Sequence, residues 1–408
     1  MDFSHSPRSR EYQERVAAFM RDEIEPVEAD YHHAVAASDD PWTPLPLLAE
    51  LQGKARATGL WNLFMSDEKY GAGLSNVDYA PCAELMGRSA LAPHVFNCNA
   101  PDTGNMEVLA AYGTEEQRRR WLEPLLDGEI RSAFCMTEPE VASSDATNMS
   151  ASAVLDGDEV VINGRKWWST GIGHPRCEIL LFMGLTDAEA PRHARHSIVL
   201  VPRSAPGVRV ERMLSVMGMD DAPFGHGEVS FHGVRVPVAN VIGTPGQAFE
   251  IAQSRLGPGR IHHCMRLVGL AERALELAVD RGLRRTAFGE RLIDLGGNRE
   301  RIADARIAIE QLRLLVLRTA WLLDTHGVRA ARSEISQIKV AAPRVAQDVV
   351  DVAIQLHGAG GLSADQPLAA AWANARSLRL ADGPDEVHRS LVARLEVARH
   401  EQAYGEAR

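Results

Sequence analysis

Apolar residues recur every three or four positions at both ends of the chain. Through the middle they gather in short runs. Near the N-terminus Val16, Phe19 and Met20 share one face of a helix expected over 11–21. Further helices are expected over 44–57, 79–88, 105–112 and 115–124. Thr114, ahead of Glu116 and Gln117, suits the last as a cap. The segment GLWNLFMSDEKYGAGLS reads as a loop, punctuated by Gly and Ser. From about 131 to 244 the pattern changes. β-rich runs at 160–162, 178–184, 197–202, 208–211 and 228–231 are separated by DGDE, NGR, PRSAPG and HGVRVP. Such spacing without intervening helical periodicity predicts an antiparallel sandwich or barrel. Beyond 245 four long stripes appear. They are Leu267–Leu270–Ala271–Ala274–Leu275–Ala278, Ile302–Ala305–Ile309–Leu312–Val316, Ile335–Ile338–Ala342–Val345–Val349–Val352, and Val387–Leu391–Leu395. They predict a four-helix bundle. The expected fold is therefore α+β: an N-terminal helical domain at 1–130, a β domain at 131–244 and a bundle at 245–408.

Composition narrows the function classes. Hydrophobic residues are 45% and charged residues 24% of 408, ordinary for a folded domain assembly. The longest uncharged run, 236–249, includes three polar residues and two prolines, so no spanning segment is expected. The first residues lack the apolar core and cleavage site of a secretory signal. A net charge of −11 without a basic block argues against nucleic acid and anionic membranes as partners. Five cysteines with no CxxC pair suit a reducing cytoplasm, which is the expected location. His262, His263 and Cys264 are adjacent and cannot all face one ion from a helix, so no metal is expected. The GxxxxGK[ST], GxGxxG, HExxH and GxSxG signatures do not occur.

Four blocks carry a resemblance. Phe134-Cys135-Met136-Thr137-Glu138-Pro139 precedes Ser143-Ser144-Asp145. Asn163 to Thr170 reads NGRKWWST, Arg285 to Gly289 reads RTAFG, and Gln355 to Gly361 reads QLHGAGG. Their order and spacing, over essentially the whole chain, resemble the acyl-CoA dehydrogenase family. GLWNLF, DYAP, APDTGNMEVL, LGPGRIHHCMRL and LADGPDEVHR resemble its 10/11 subgroup, often fused to a kinase-like domain in animals and plants. No such domain is expected ahead of Met1.

The resemblance implies FAD, held without a dinucleotide fingerprint. It places Phe134, Met136 and Thr137 along the flavin ring, where backbone donors and a hydroxyl tune the cofactor. Ser144 would reach the pyrophosphate or the thioester side. Trp168, Ser169 and Thr170 would cover the flavin edge, with Thr170 donating to a ring nitrogen. Trp167 and Trp168 are expected on opposite faces of a strand, leaving only Trp168 at the site. Arg285 and Phe288 match the family's Arg-x-x-Phe-Gly, which reaches the FAD of a neighbouring subunit; a guanidinium suits a pyrophosphate. Arg284 suits a solvated helix face. Gln355, Gly358 and Ala359 would lie along the ADP part. Many members carry a second Gly where this chain has Ala359. Pro384 and Glu386 complete the cofactor set.

The chemistry implied by the resemblance centres on Ala381-Asp382-Gly383-Pro384-Asp385-Glu386. Much of the family has Tyr-Glu-Gly-Thr there, and its Glu removes the α-proton. Alignment on Gly383 puts Asp382, one methylene shorter, in the base position. A thioester α-proton is weakly acidic, so donors must also polarise the carbonyl. Burial would raise the base towards working pH. Asp385 and Glu386 are rival carboxylates, but both suit a helix start after Pro384. A subset of the family keeps its base just before an Arg. Here that position is Gly259, before Arg260, so that base is absent. Arg260 would orient the base loop, or serve a structural ion pair; Arg260, Ser144 and Gly383 would meet the substrate.

The resulting expectation is FAD-dependent α,β-dehydrogenation of an acyl-CoA to a trans-2-enoyl-CoA. Hydride would pass from the β-carbon to flavin N5, and electrons onward to an electron-transferring flavoprotein. A homodimer or homotetramer is expected, because cofactor residues come from two chains. A nitroalkane-oxidase-like oxidase, a flavin monooxygenase and a silent FAD-bound scaffold remain open as alternatives.

Overall fold

The computed structural model of the protein describes residues 4–404, without the side chains of Arg255, Leu256, Pro258 and Tyr404. Packing divides the chain into two compact units. One comprises Met1–Glu25, Leu74–Pro93 and Arg260–Arg408, the other Pro26–Gly73 and His94–Gly259. The N-terminal helical stretch is thus shared out, since its Pro7–Phe19 and Asn76–Gly87 helices belong with the C-terminal helices.

The first unit is helical. Ser6 caps Pro7–Phe19 by accepting from Ser9 N, and Pro7 pre-sets the first turn. The Ala248–Arg284 helix supplies its portion from Arg260 onward. Asn298–His357 is two helices broken at Gly327, whose φ of 78° and ψ of 172° leave helical space. Leu368–Ser377 and Asp385–Tyr404 follow. The first three stripes face inward: Leu267, Ala271, Ala305, Ile309, Ile335, Ile338, Ala342 and Val349 are all buried. The fourth does not, and Val387 is 42% exposed. Its helix instead buries two polar residues of its own, Asp385 and His388. At one helix crossing only glycine fits. A Cβ on Gly269 would stand 1.8 Å from the Glu84 carbonyl, and one on Gly87 2.0 Å from that of Arg266.

The second unit holds a seven-stranded sheet. Its strands are β1 (Arg131–Cys135), β2 (Ser152–Asp156), β3 (Glu159–Thr170), β4 (Cys177–Leu185), β5 (His196–Pro202), β6 (Val208–Leu214) and β7 (His226–Pro237). The order is β1-β4-β2-β3-β7-β6, with β5 on β4. β3, β7 and β6 run antiparallel, as do β4 and β5, but β1 and β2 lie parallel to β4. The sheet is therefore mixed, where the short-loop pattern alone suggests antiparallel pairing throughout. The periodicity also passes over β1 and β2, and over the Glu28–Ala36 helix, whose buried face is only Tyr31 and Val35. Phe182 and Phe231 meet 4.7 Å apart in the sheet core with Val199, Val229 and Ile162. Thr114 and Gln117 form the expected cap reciprocally, each side chain accepting from the other's backbone N–H.

Candidate active site

In the sheet unit the predicted residues converge where β1 runs out beside the end of β3. Phe134 and Met136 are half-buried, while Thr137 and Ser144 are exposed. Thr137 is tied to the tryptophans by its carbonyl, which accepts from Trp167 N at 2.9 Å. Opposite β7 the register of β3 shifts between Lys166 and Ser169, so two residues face one. This bulge puts Trp168 at φ 53° and breaks the alternation. The two indoles lie 6.2 Å apart at 58°, not on opposite faces as strand periodicity implies. Trp168 stays 41% exposed, with its ring 5.8 Å from that of His226, and the buried Trp167 Nε1 has no partner. Ser169 is buried against Cys135, whose thiol burial pushes up to about 11. Exposed aromatic area edged by hydroxyls fits a planar heteroaromatic ring.

A buried ion pair, which sequence reading passes over, holds this edge from behind. Lys166 donates to Glu138 Oε1 at 2.7 Å and to the Met136 carbonyl at 2.9 Å. Glu138 accepts from Ser150 N, Ser150 Oγ and Ala151 N at 2.8–3.0 Å. Burial pushes the Glu138 carboxyl up, but Lys166 and the Ser150 donors outweigh it and leave it below its ordinary value. Burial pulls the Lys166 ammonium down against the opposing pull of Glu138. Ser143 Oγ accepts from Glu138 N, so of the two serines Ser143 is structural and Ser144 faces outward.

Thr170 Oγ1 lies 2.8 Å from His226 Nδ1, and His226 Nε2 lies 3.0 Å from Asp221 Oδ2. Neither His226 nor Asp221 stands out in the sequence, because the contacts span 56 and five positions.

In the helical unit Asp382 sits on the turn before the Asp385–Tyr404 helix at φ 55°, followed by Gly383 at 105°. Two side chains pin its carbonyl. Arg260 Nε donates at 3.0 Å, and His388 Nε2 lies 3.3 Å away. Because a carbonyl only accepts, Nε2 carries the His388 proton and Nδ1 accepts from Ser336 Oγ at 3.2 Å. Burial, helped by Arg260 and Lys339, pushes His388 down to about 4, so it is neutral. Arg260 thus reaches the loop at its backbone. The carboxylate itself is 21% exposed and lies 3.6 Å from His263 Nε2. Arg266 donates to His263 Nδ1 at 3.1 Å, which leaves the proton on the nitrogen facing Asp382. Lys339, pulled down by burial, donates to the Leu378 carbonyl just upstream.

The rival carboxylates separate. Asp385 is buried, held by Arg379 at 2.9–3.0 Å with Arg344 at 3.4 Å, whereas Glu386 is exposed. Asp385 therefore does more than complement a helix start. Gly383 and Pro384, between Asp382 and Asp385, are half-buried.

The remaining predicted residues lie on the surface of this unit. Arg285 ends the Ala248–Arg284 helix and opens a two-stranded hairpin, Thr286–Ala287 against Glu290–Arg291. Phe288 stands 98% exposed at its tip. Arg284 pairs with Asp280 at 2.8 Å, the solvated role expected of it. Gln355, Gly358 and Ala359 are exposed where the long helix ends in the turn Gly358–Leu362. Among the described residues no cluster of three His, Cys, Asp or Glu could hold a metal, and no helix is long and apolar enough to cross a membrane.

Comparison with known proteins identifies the family. Family models match three successive segments. They are acyl-CoA dehydrogenase, N-terminal domain, over 6–129; acyl-CoA dehydrogenase, middle domain, over 133–234; and acyl-CoA dehydrogenase, C-terminal domain, over 246–396. The chain is 50% identical to the protein named probable acyl-CoA dehydrogenase FadE2 of Mycobacterium tuberculosis, covering 100% of each. It is 53% identical to acyl-CoA dehydrogenase family member 10 of Mus musculus, over 96% of this chain but only 37% of that longer protein. A solved protein of Mycobacterium abscessus, assigned to the acyl-CoA dehydrogenases, superposes with a TM-score of 0.95 at 64% identity, over 98% of this chain and 100% of that one.

Proposed function

The chain belongs to the acyl-CoA dehydrogenase family, and from that premise we propose that it oxidises an acyl-CoA thioester to the trans-2-enoyl-CoA with FAD. The observation that carries the proposal is Asp382. Its carbonyl is fixed by Arg260 and His388 while its carboxylate stays accessible, which is how a general base is presented. Asp382 would take the α-proton, and its backbone N–H would help polarise the thioester carbonyl. Bound FAD would supply the hydride acceptor. Phe134, Met136, Thr137, Trp168, Ser169 and Thr170 would line it, and Arg285, Phe288, Gln355, Gly358 and Ala359 would hold its phosphate and adenosine parts. Pro384 and Glu386 would flank it, while Ser144, Arg260 and Gly383 would face the substrate.

A shorter base than the usual Glu needs a loop set closer to the α-carbon. The left-handed turn at Asp382 and Gly383 is a means of setting it there. The half-exposed Val387 face and the bare Phe288 tip support a homodimer or homotetramer. An electron-transferring flavoprotein is the electron acceptor this chemistry suits. As sequence segments we propose 1–130, 131–244 and 245–408 for the three domains.

The test is anaerobic titration of FAD-loaded protein with a panel of acyl-CoAs. Bleaching of the flavin by at least one, with slow reoxidation in air, is expected. Fast reoxidation would favour an oxidase or monooxygenase, and no bleaching a silent scaffold.

A further inference from the structure

The end of β3 carries a hydrogen-bonded line that the reaction as proposed does not use. Thr170 is paired in register with His226 across β3 and β7. Its hydroxyl meets Nδ1 at 2.8 Å, and Nε2 meets the Asp221 carboxylate at 3.0 Å. The turn that presents Asp221 is fastened locally. Phe224 N and Gly225 N donate to the Asp221 carbonyl, and Gly171 N and Gly173 N donate back to Gly225 and Phe224. The Trp168 and His226 rings lie 5.8 Å apart, so the line backs directly on the exposed indole.

Proton counting fixes the direction of these bonds. A carboxylate only accepts, so Nε2 carries the imidazole proton. A neutral imidazole then has a bare lone pair on Nδ1, so Thr170 must donate its hydroxyl proton to it. That proton is no longer available to any group on the other side of Thr170. The oxygen offers lone pairs instead, the reverse of the donor role the family resemblance suggests.

We propose that Asp221 and His226 are positioning residues that hold the Thr170 hydroxyl as an acceptor towards the flavin and so favour the cofactor's reduced form. This rests on the reading that Thr170 lines the flavin. The neighbouring ring nitrogen is bare when the cofactor is oxidised and protonated when it is reduced. An acceptor therefore stabilises the reduced form and a donor the oxidised form. A bridge that merely closed the β3–β7 edge would have no such preference.

The test uses the full chain at pH 8. Nitrogen chemical shifts of His226 report its tautomer in flavin-free and FAD-loaded protein, and a dye-coupled reductive titration reports the FAD midpoint potential. Asp221 is 64% exposed at its side chain, so Asp221→Ala should leave the fold intact. In the parent the Nε2–H tautomer is expected. In Asp221→Ala a mixture of tautomers should appear, and the reduced-to-oxidised ratio should fall five- to tenfold, about 20–30 mV for a two-electron couple. Asp221→Asn, which keeps an acceptor oxygen for Nε2–H, should restore the parental potential. An Nδ1–H tautomer in the parent, or an unmoved potential in FAD-loaded Asp221→Ala, overturns this inference alone. A chain that binds no FAD overturns it together with the proposed function.

Discussion

Replacing Asp382 by Asn separates the proposed base from everything else its loop does. The loop's geometry rests on groups the substitution leaves untouched. These are the Asp382 carbonyl held by Arg260 and His388, the left-handed Gly383, and Asp385 anchored by Arg379. The Asn oxygen can still accept from His263, so fold, cofactor and ligand binding should all persist. Only proton acceptance is lost, a contribution of about 10²–10⁴ in rate. At 1.36 kcal/mol per decade that is about 3–5 kcal/mol of barrier. The two neighbouring carboxylates give the contrast. Asp385→Asn neutralises a buried carboxylate whose guanidinium partner Arg379 is 28% exposed, and should cost about 1–3 kcal/mol of stability. The protein that remains folded should bleach at close to the parental rate. Glu386→Gln, on the surface, should change stability by less than about 0.5 kcal/mol. The assay is the anaerobic flavin-bleaching rate with the best acyl-CoA, beside urea unfolding, for all three variants. Parental bleaching in Asp382→Asn, or a stalled reaction in a well-folded Asp385→Asn, would refute the assignment.

Three further outcomes are expected. Arg285→Ala should weaken FAD binding and loosen the oligomer together, by about 2–5 kcal/mol, if its guanidinium meets a pyrophosphate across an interface; unchanged FAD affinity and unchanged mass by light scattering would contradict that. Glu138→Gln should destabilise by about 3–5 kcal/mol in urea, and pairing it with Lys166→Met should recover most of the loss, because an unpaired buried ion costs more than a neutral pair; additive losses would contradict it. Burial pushes His174 and His262 down to about 3 and His388 to about 4, against an ordinary 6.5. The unfolded chain therefore binds more protons between those values and 6.5. Stability should be full above about pH 6.5 and fall on acidification, by up to ~1.4 kcal/mol per pH unit for each group. The window from pH 6.5 to 5 lies above the ordinary carboxylate value, so melting temperatures that stay flat there would count against neutral buried imidazoles.

Much of this protein was legible in one dimension. Three of the four C-terminal stripes became buried helix faces, because a 3.6-residue repeat needs no distant partner to define a face. The β-rich middle and the Thr114 cap were equally local. The blocks at Thr137, Trp168, Arg285, Gln355 and Asp382 were readable as motifs because each lies within a few residues. What the sequence could not reveal was what crosses the chain. The parallel pairing of β1 with β4 joins segments some 46 positions apart. The bulge that turns both tryptophans to one side depends on the β7 register. The Lys166–Glu138 pair spans 28 positions, and the Arg260 and His388 clamps on the Asp382 carbonyl span 122 and six. Each is a hydrogen bond or charge that gains its worth only when burial removes competing water, and burial is a property of the folded chain. The sequence alone therefore nominated the residues proposed for the chemistry. The tertiary structure decided which atoms they present: an Asp382 carboxylate left accessible while its carbonyl is held, and a Thr170 oxygen whose proton is already given to His226.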